Sequence, residues 1–295
     1  MHSTLVQPTT LAGLHCLDVI SRAVVDGLQS GMHRSPLKGH STDFADHRAY
    51  VPGDDLRHLD WKVLGRRDRL VLKRYEAETD FACTLVVDGS ASMSYQGGHS
   101  PWTKYRFASV LGATLAYLVT QQQDRAGLQL LSDGPLLELP PQRQGQFERI
   151  CQALEHHQPA AQMDLDTGIL HLTPPTCRRG LVIIISDLLV DLNAFSQALA
   201  KLRHRGHDLA VFWTLDPDEL NLNISQVSRF IGLEGEGEIV AEPRALRQAW
   251  TQVVESHRQT LAGICRSHRA ILVETDSATA PQVALNQLLV SLEHG

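Results

Sequence analysis

The sequence predicts an α/β protein: a mainly parallel, open sheet with helices on both faces, preceded by an N-terminal helix and an irregular or β segment. Three observations predict it. From Thr84 onward, short apolar runs alternate with stretches of helical period, and such alternation implies crossover helices packed on a parallel sheet. Leu181-Val-Ile-Ile-Ile185 is a nearly unbroken β-branched run, the pattern of a strand covered on both faces. The chain has 295 residues, enough to bury a sizeable core in one large domain or two modest ones.

The elements follow in chain order. Leu14, Leu17, Val24 and Leu28 share one face of a helix over 11–30, with Gly31 as its stop. Met32 to Arg74 is polar, rich in His, Arg and Asp, and carries Gly39, Gly53 and Gly65. It reads as loops and short strands, so residues 1–80 form an N-terminal helix plus segment packed on a core domain spanning 81–295. Strands are expected at 84–87, 127–131, 181–185, 209–213 and 271–274. Helices are expected at 104–123 and 144–156, around Leu192, Phe195, Leu199 and Leu202, along Leu246, Trp250, Val253, Leu261 and Ile264, and through Leu285, Leu288, Leu289 and Leu292. Trp213 and Trp250 fall on apolar periods and read as core.

Bulk composition narrows the function. A hydrophobic share of 43% and a charged share of 20% are those of a globular protein. A net charge of −6 gives no electrostatic case for nucleic acid. The 15 histidines are scattered, with no His-x-His pair and no His-Glu-x-x-His. Cys16, Cys83, Cys151, Cys177 and Cys265 are odd in number and lack a Cys-x-x-Cys clip, as expected of reduced thiols in the cytoplasm. The first ten residues do not read as a signal peptide, and the run 181–185 is far too short to span a bilayer. The expectation is a cytoplasmic protein with no membrane insertion.

Chemistry is expected where strands end. Asp88 follows Leu85-Val-Val87, and Asp187 follows Ile183-Ile-Ile185-Ser186. In an open α/β sheet, parallel strand ends face one crevice, where ligands tend to bind. Asp88-Gly89-Ser90-Ala91-Ser92 supports two readings. One is a turn and helix cap without metal. In the other, Asp88, Ser90 and Ser92 aim three hard oxygens at a divalent ion, and Asp187 holds its waters. Val51-Pro-Gly-Asp-Asp55 reads as a turn. Arg48, Arg57, Asp60 and Trp61 read either as an ion-pair and stacking network or as a docking surface. Arg66-Arg67-Asp68-Arg69 reads as a solvated loop.

Two resemblances extend this. Asp88-Gly89-Ser90-Ala91-Ser92-Met93 after a strand, with Ser186-Asp187 later, resembles the metal-ion-dependent adhesion site of von Willebrand factor A domains. Arg48-Ala-Tyr50-Val-Pro-Gly53-Asp54-Asp55-Leu-Arg57-His-Leu-Asp60-Trp61 and Lys73-Arg74-Tyr75-Glu76-Ala-Glu78 are similar to the signature of the domain-of-unknown-function-58 family, a likeness that continues through Leu215-Asp216-Pro217-Asp218-Glu219. The resemblance implies a von Willebrand A-like domain, Mg²⁺ or Mn²⁺ as the ion, and a MoxR-type AAA ATPase as partner. The chain departs from the adhesion-site pattern at Met163, which stands in the slot of a ligating threonine. A thioether is a poor ligand for Mg²⁺. Thr167 and Asp164 are the alternative ligands, and metal is expected to bind weakly or not at all without a partner.

The expected function is a non-enzymatic protein-binding module acting with the ATPase on an unknown client protein. A structural scaffold with a vestigial metal site is the alternative. A metal-dependent hydrolase is a second alternative, set back by the absence of a nucleophile motif, a phosphate loop and a zinc motif. No catalytic residue is assigned.

Overall fold

The computed structural model describes residues 7–14, 16–31, 44–49, 71–75, 81–131, 137–159, 180–222, 228–232, 237–241 and 243–294. Two compact units divide the chain: 38–80 in one, and 1–37 with 81–295 in the other.

The larger unit begins with α1 (Pro8–Ala12) and α2 (Leu17–Gly31). One continuous helix was expected over 11–30. Instead the chain breaks after Ala12, where Gly13 caps α1, and Leu14 is exposed rather than on the core face. Leu17, Ile20, Val24 and Leu28 of α2 are buried. They pack the helix against the sheet-covering layer.

Six strands form the central sheet: β3 (Ala82–Asp88), β4 (Arg125–Leu131), β5 (Leu137–Gln142), β6 (Leu181–Ser186), β7 (Asp208–Leu215) and β10 (Ala270–Asp276). The spatial order is β5-β4-β3-β6-β7-β10. All pairs are parallel except β4 with β5 at one edge. The expected parallel strands are all present. The antiparallel edge strand β5 was not anticipated, because Leu137-Glu-Leu-Pro-Pro-Gln142 is half-exposed and carries two prolines, which a sheet tolerates at its edge.

The helices are α3 (Lys104–Gln121), α4 (Gln146–His156), α5 (Leu192–His204), α6 (Pro217–Asn221), α7 (Pro243–Ser267) and α8 (Pro281–His294). One core face joins α2, α3, α4 and α8 to Leu85, Val87, Ile183, Ile185 and Phe212. The other joins α5 and α7 to Val86, Val182, Ile184, Val211 and Trp213. Alternate residues of one strand thus feed opposite cores, which is why β6 is apolar at every position. A short antiparallel pair, β8 (Ser228–Ile231) with β9 (Glu238–Ala241), lies between α6 and α7.

Trp213 is buried as expected, but Trp250 is not: it is 38% exposed, with Leu246 at 43% and Val253 at 61%. Among the described residues, α7 reaches the core through Leu261 and Cys265, with Val254 and Ile264 partly buried against it. Hydrophobic period marks a helix face but does not say whether a neighbour covers it. Within the smaller unit, β1 (Phe44–Ala49) pairs antiparallel with β2 (Val71–Tyr75), with a bulge near Phe44. Of the Arg48–Trp61 signature, residues 50–61 lie outside the described residues, as do Cys177 and the charge run 66–69. No helix among the described residues is long and apolar enough to cross a membrane.

Burial pushes the Cys83 and Cys151 thiols up to about 12 and Cys265 up to about 11, while Cys16 is exposed. A thiol reacts as its thiolate. Native protein at pH 7.5 is therefore expected to be alkylated at Cys16 and spared at Cys83, Cys151 and Cys265, all three becoming reactive on denaturation, as read by peptide mass mapping.

Candidate functional site

Taken in chain order, the six strands run 3-2-1-4-5-6 across the sheet. The order reverses between β3 and β6, so connections leave these neighbours in opposite directions, and the carboxyl ends of these two strands are where an open α/β sheet ordinarily forms its ligand crevice. Register places Val87 beside Ile185. Asp88 is the last residue of β3, Ser186 ends β6, and Asp187 follows it.

Asp88, Ser90, Ser92, Ser186 and Asp187 are all buried. One Asp88 carboxylate oxygen accepts the Ser90 N–H at 2.9 Å. The other accepts the Ser186 hydroxyl at 2.5 Å. Ser90 Oγ and Ser92 Oγ lie 3.0 Å apart. A 3₁₀ turn, Ala91–Ser94, brings the second serine round. Gly89 is needed for closeness: its N–H donates to the Leu131 carbonyl at 2.8 Å, and a Cβ there would collide with that oxygen and with the His157 ring. The turn reading is met in that Asp88 accepts the Ser90 N–H ahead of the 3₁₀ turn, whose own N-cap, Ser90, makes no side-chain capping bond.

The donor set suits a hard cation. Neighbouring ligands of an octahedral ion with bonds near 2.1 Å stand roughly 3 Å apart, which is the separation of the two serine hydroxyls. Met163, Asp164 and Thr167 lie outside the described residues.

Asp187 is committed elsewhere. Its Oδ2 accepts from Lys104 Nζ at 2.8 Å, and neither side chain is exposed. The same amine donates to Glu219 at 2.7 Å, a side chain 22% exposed. Asp187 Oδ1 accepts the Leu189 N–H at 3.2 Å, and the Asp187 carbonyl accepts from Trp213 Nε1 at 2.8 Å. Burial opposes the ammonium charge of Lys104, but Asp187 and Glu219 outweigh it and hold its pKa above the ordinary value. Burial pushes the Glu219 carboxyl up, against the pull of Lys104.

Lys104, Glu219, Asp216 and Asp218 were not anticipated as site residues. A signal existed for Lys104. It opens α3 directly after the N-cap Thr103, and a cation in a helix's first turn opposes the macrodipole. Such a lysine needs a carboxylate nearby. The Leu215–Glu219 stretch anchors the crevice wall. Asp216 and Glu219 form a capping box on α6. Asp216 also accepts from Gly97 N–H at 3.0 Å and Ser277 Oγ at 3.0 Å. Asp218 takes the Gly98 N–H at 2.8 Å and is 2.6 Å from His99 Nδ1. Loops after β3, β7 and β10 are thereby tied together. A Cβ at Gly97 would overlap both aspartates.

Burial, and then the charge of Asp187, push the Asp88 carboxyl from 3.8 up to about 6. The sign follows from linkage. A carboxyl with a raised folded pKa holds its proton more tightly when folded, so its ionisation costs stability as pH climbs through 6, and the cost vanishes below 3.8. With chelator present, Asp88→Asn is expected to raise the denaturant midpoint at pH 7.5. Near pH 4 the gain should disappear. An equal difference at both pH values would contradict the assignment.

Comparison with known proteins adds the following. A profile described as "Protein of unknown function DUF58" matches residues 46–260. An uncharacterized protein of Mycobacterium tuberculosis is 27% identical over 274 residues, covering 90% of this chain and 84% of its own length. Among solved structures, an aerotolerance-related membrane protein from Bacteroides fragilis shares 19% identity at a TM-score of 0.44, covering 72% of this chain and 99% of that one. The von Willebrand A domain of SpRpn10 shares 13% identity at a TM-score of 0.40, over 70% of this chain and 94% of that one.

Proposed function

This chain belongs to the family of proteins of unknown function DUF58, and from that premise we propose that it is a non-enzymatic protein-interaction module of von Willebrand A type, whose crevice at the β3–β6 switch point grips an acidic side chain of a partner. The observation that supports this reading is that Ser90 and Ser92 hold their hydroxyl oxygens 3.0 Å apart directly after Asp88, whose carboxylate accepts from Ser186 at the end of the neighbouring strand. Mg²⁺ or Mn²⁺ would be held there by Asp88, Ser90 and Ser92. When bound, it supplies a positive centre with coordination positions left for water or a partner carboxylate. A protein-supplied oxygen set this small makes metal binding weak until the partner adds its own, and the two affinities are then coupled.

The partner follows from family resemblance: a MoxR-type AAA ATPase, with a client protein whose assembly or maturation the pair serves. A hydrolytic role gains no support from the crevice. Among the described residues, His157 is hydrogen-bonded to the Gly89 carbonyl and Lys104 is paired with two carboxylates, so neither is set as a base beside a nucleophile. One observation favours a scaffold with a vestigial site, namely that Asp187 is already neutralised by Lys104.

The test is a pull-down of co-expressed ATPase and client, with and without chelator. Wild type is expected to lose its partner in chelator, and Asp88→Ala to lose it in either condition while keeping its circular dichroism spectrum. Met163→Thr is expected to tighten Mn²⁺ binding in calorimetry. If chelator and Asp88→Ala both leave capture unchanged, the crevice is structural.

A further inference from the structure

Resting on the reading of the crevice as the ligand site, we infer that Lys104 is its resident cation: the Lys104–Asp187 ion pair competes with a divalent ion for Asp187, latching the crevice in a form where Asp187 serves no metal.

The argument is one of charge and geometry. Asp88, Asp187 and Glu219 bring three carboxylates to one strand-end region, and Lys104 brings one ammonium. The amine does not sit midway among them. It lies 2.8 Å from Asp187 and 2.7 Å from Glu219, whereas Asp88 accepts from Ser90 and Ser186. One Asp187 oxygen takes the Lys104 amine. Its other oxygen accepts the Leu189 N–H. A divalent ion beside Asp88 would therefore meet an aspartate already neutralised, and would be repelled by the neighbouring ammonium.

Release has a route. Glu219 is the partially exposed member of the triad, so Lys104 can keep Glu219 while giving up Asp187. The amine lies 6.0 Å from the centroid of the Tyr95 ring, and the backbone N–H of Lys104 donates to the Tyr95 carbonyl at 3.0 Å. Tyr95 follows the 3₁₀ turn that carries Ser92, so the ligand-bearing turn and the latch are one connected piece. Binding of metal and closure of the ion pair weaken each other by the same factor.

The experiment measures Mn²⁺ affinity of the full chain by calorimetry and by metal-dependent thermal shift. Wild type is expected to bind weakly. Lys104→Met is expected to bind about tenfold tighter or more, and Lys104→Met/Asp187→Asn to lose that gain. Asp187→Asn alone, which leaves Lys104 paired with Glu219, is expected to match wild type. Should Lys104→Met fail to fold, the Asp187→Asn arm decides. A marked loss of Mn²⁺ affinity in Asp187→Asn, or a folded Lys104→Met that binds no better than wild type, overturns the latch. Loss of Mn²⁺ binding in Asp88→Ala would leave the crevice reading standing in that event. If Asp88→Ala binds Mn²⁺ as tightly as its parent, the ion sits elsewhere and both readings fall.

Discussion

Carboxylates removed from water at the end of a parallel sheet must be neutralised or protonated, and the crevice is built around that constraint. Asp187 is fully buried and so is Lys104, its partner. Breaking such a pair by deleting one member costs about 3–5 kcal/mol, because the survivor stays buried and charged. Among the described residues, Asp88 has no cationic partner. Hydrogen bonds from Ser90 and Ser186 compensate in part, and its carboxyl remains easier to protonate than a free aspartate. The region thus holds one satisfied acid and one strained one, on adjacent strands. The strained acid carries the ligand hypothesis.

The remaining architecture keeps these groups in place. Leu215-Asp216-Pro217-Asp218-Glu219 leaves β7 and turns at once into α6, with Asp216 and Glu219 closing the turn on each other. Asp216 and Asp218 then hold the Gly97-Gly98 loop, while Glu219 holds Lys104. The carbonyl of Glu219 is contacted in turn by Trp250 Nε1. A half-exposed tryptophan on α7 is in this way connected, through one peptide unit, to the amine that neutralises Asp187.

How much was legible in the sequence depended on the range of the interaction. The parallel strands were readable because each is a local run of apolar residues, and Asp88 and Asp187 were readable because a strand end is a local feature. Lys104 and Glu219 were not found, because their roles come from contacts 83 and 115 residues distant in the chain. Lys104 is the first residue of a helix whose dominant sequence feature is its apolar stripe. Trp250 was misplaced for a similar reason: helical period reports which residues align, and only the tertiary neighbours of α7 report what they meet. β5 was missed because its prolines and half-exposed residues mimic a loop.

Gly89 and Gly97 carry no chemistry, yet each stands where the smallest side chain would strike a neighbour. In a saturation-mutagenesis map, tolerance and chemical role would therefore part company around the crevice. Serine and aspartate positions would admit isosteric replacements that blunt affinity and spare folding. A Cβ at Gly89 would meet the Leu131 carbonyl, and one at Gly97 the carboxylates of Asp216 and Asp218, so a scan scored on expression alone would mark both glycines as critical although neither has a side chain to offer a ligand.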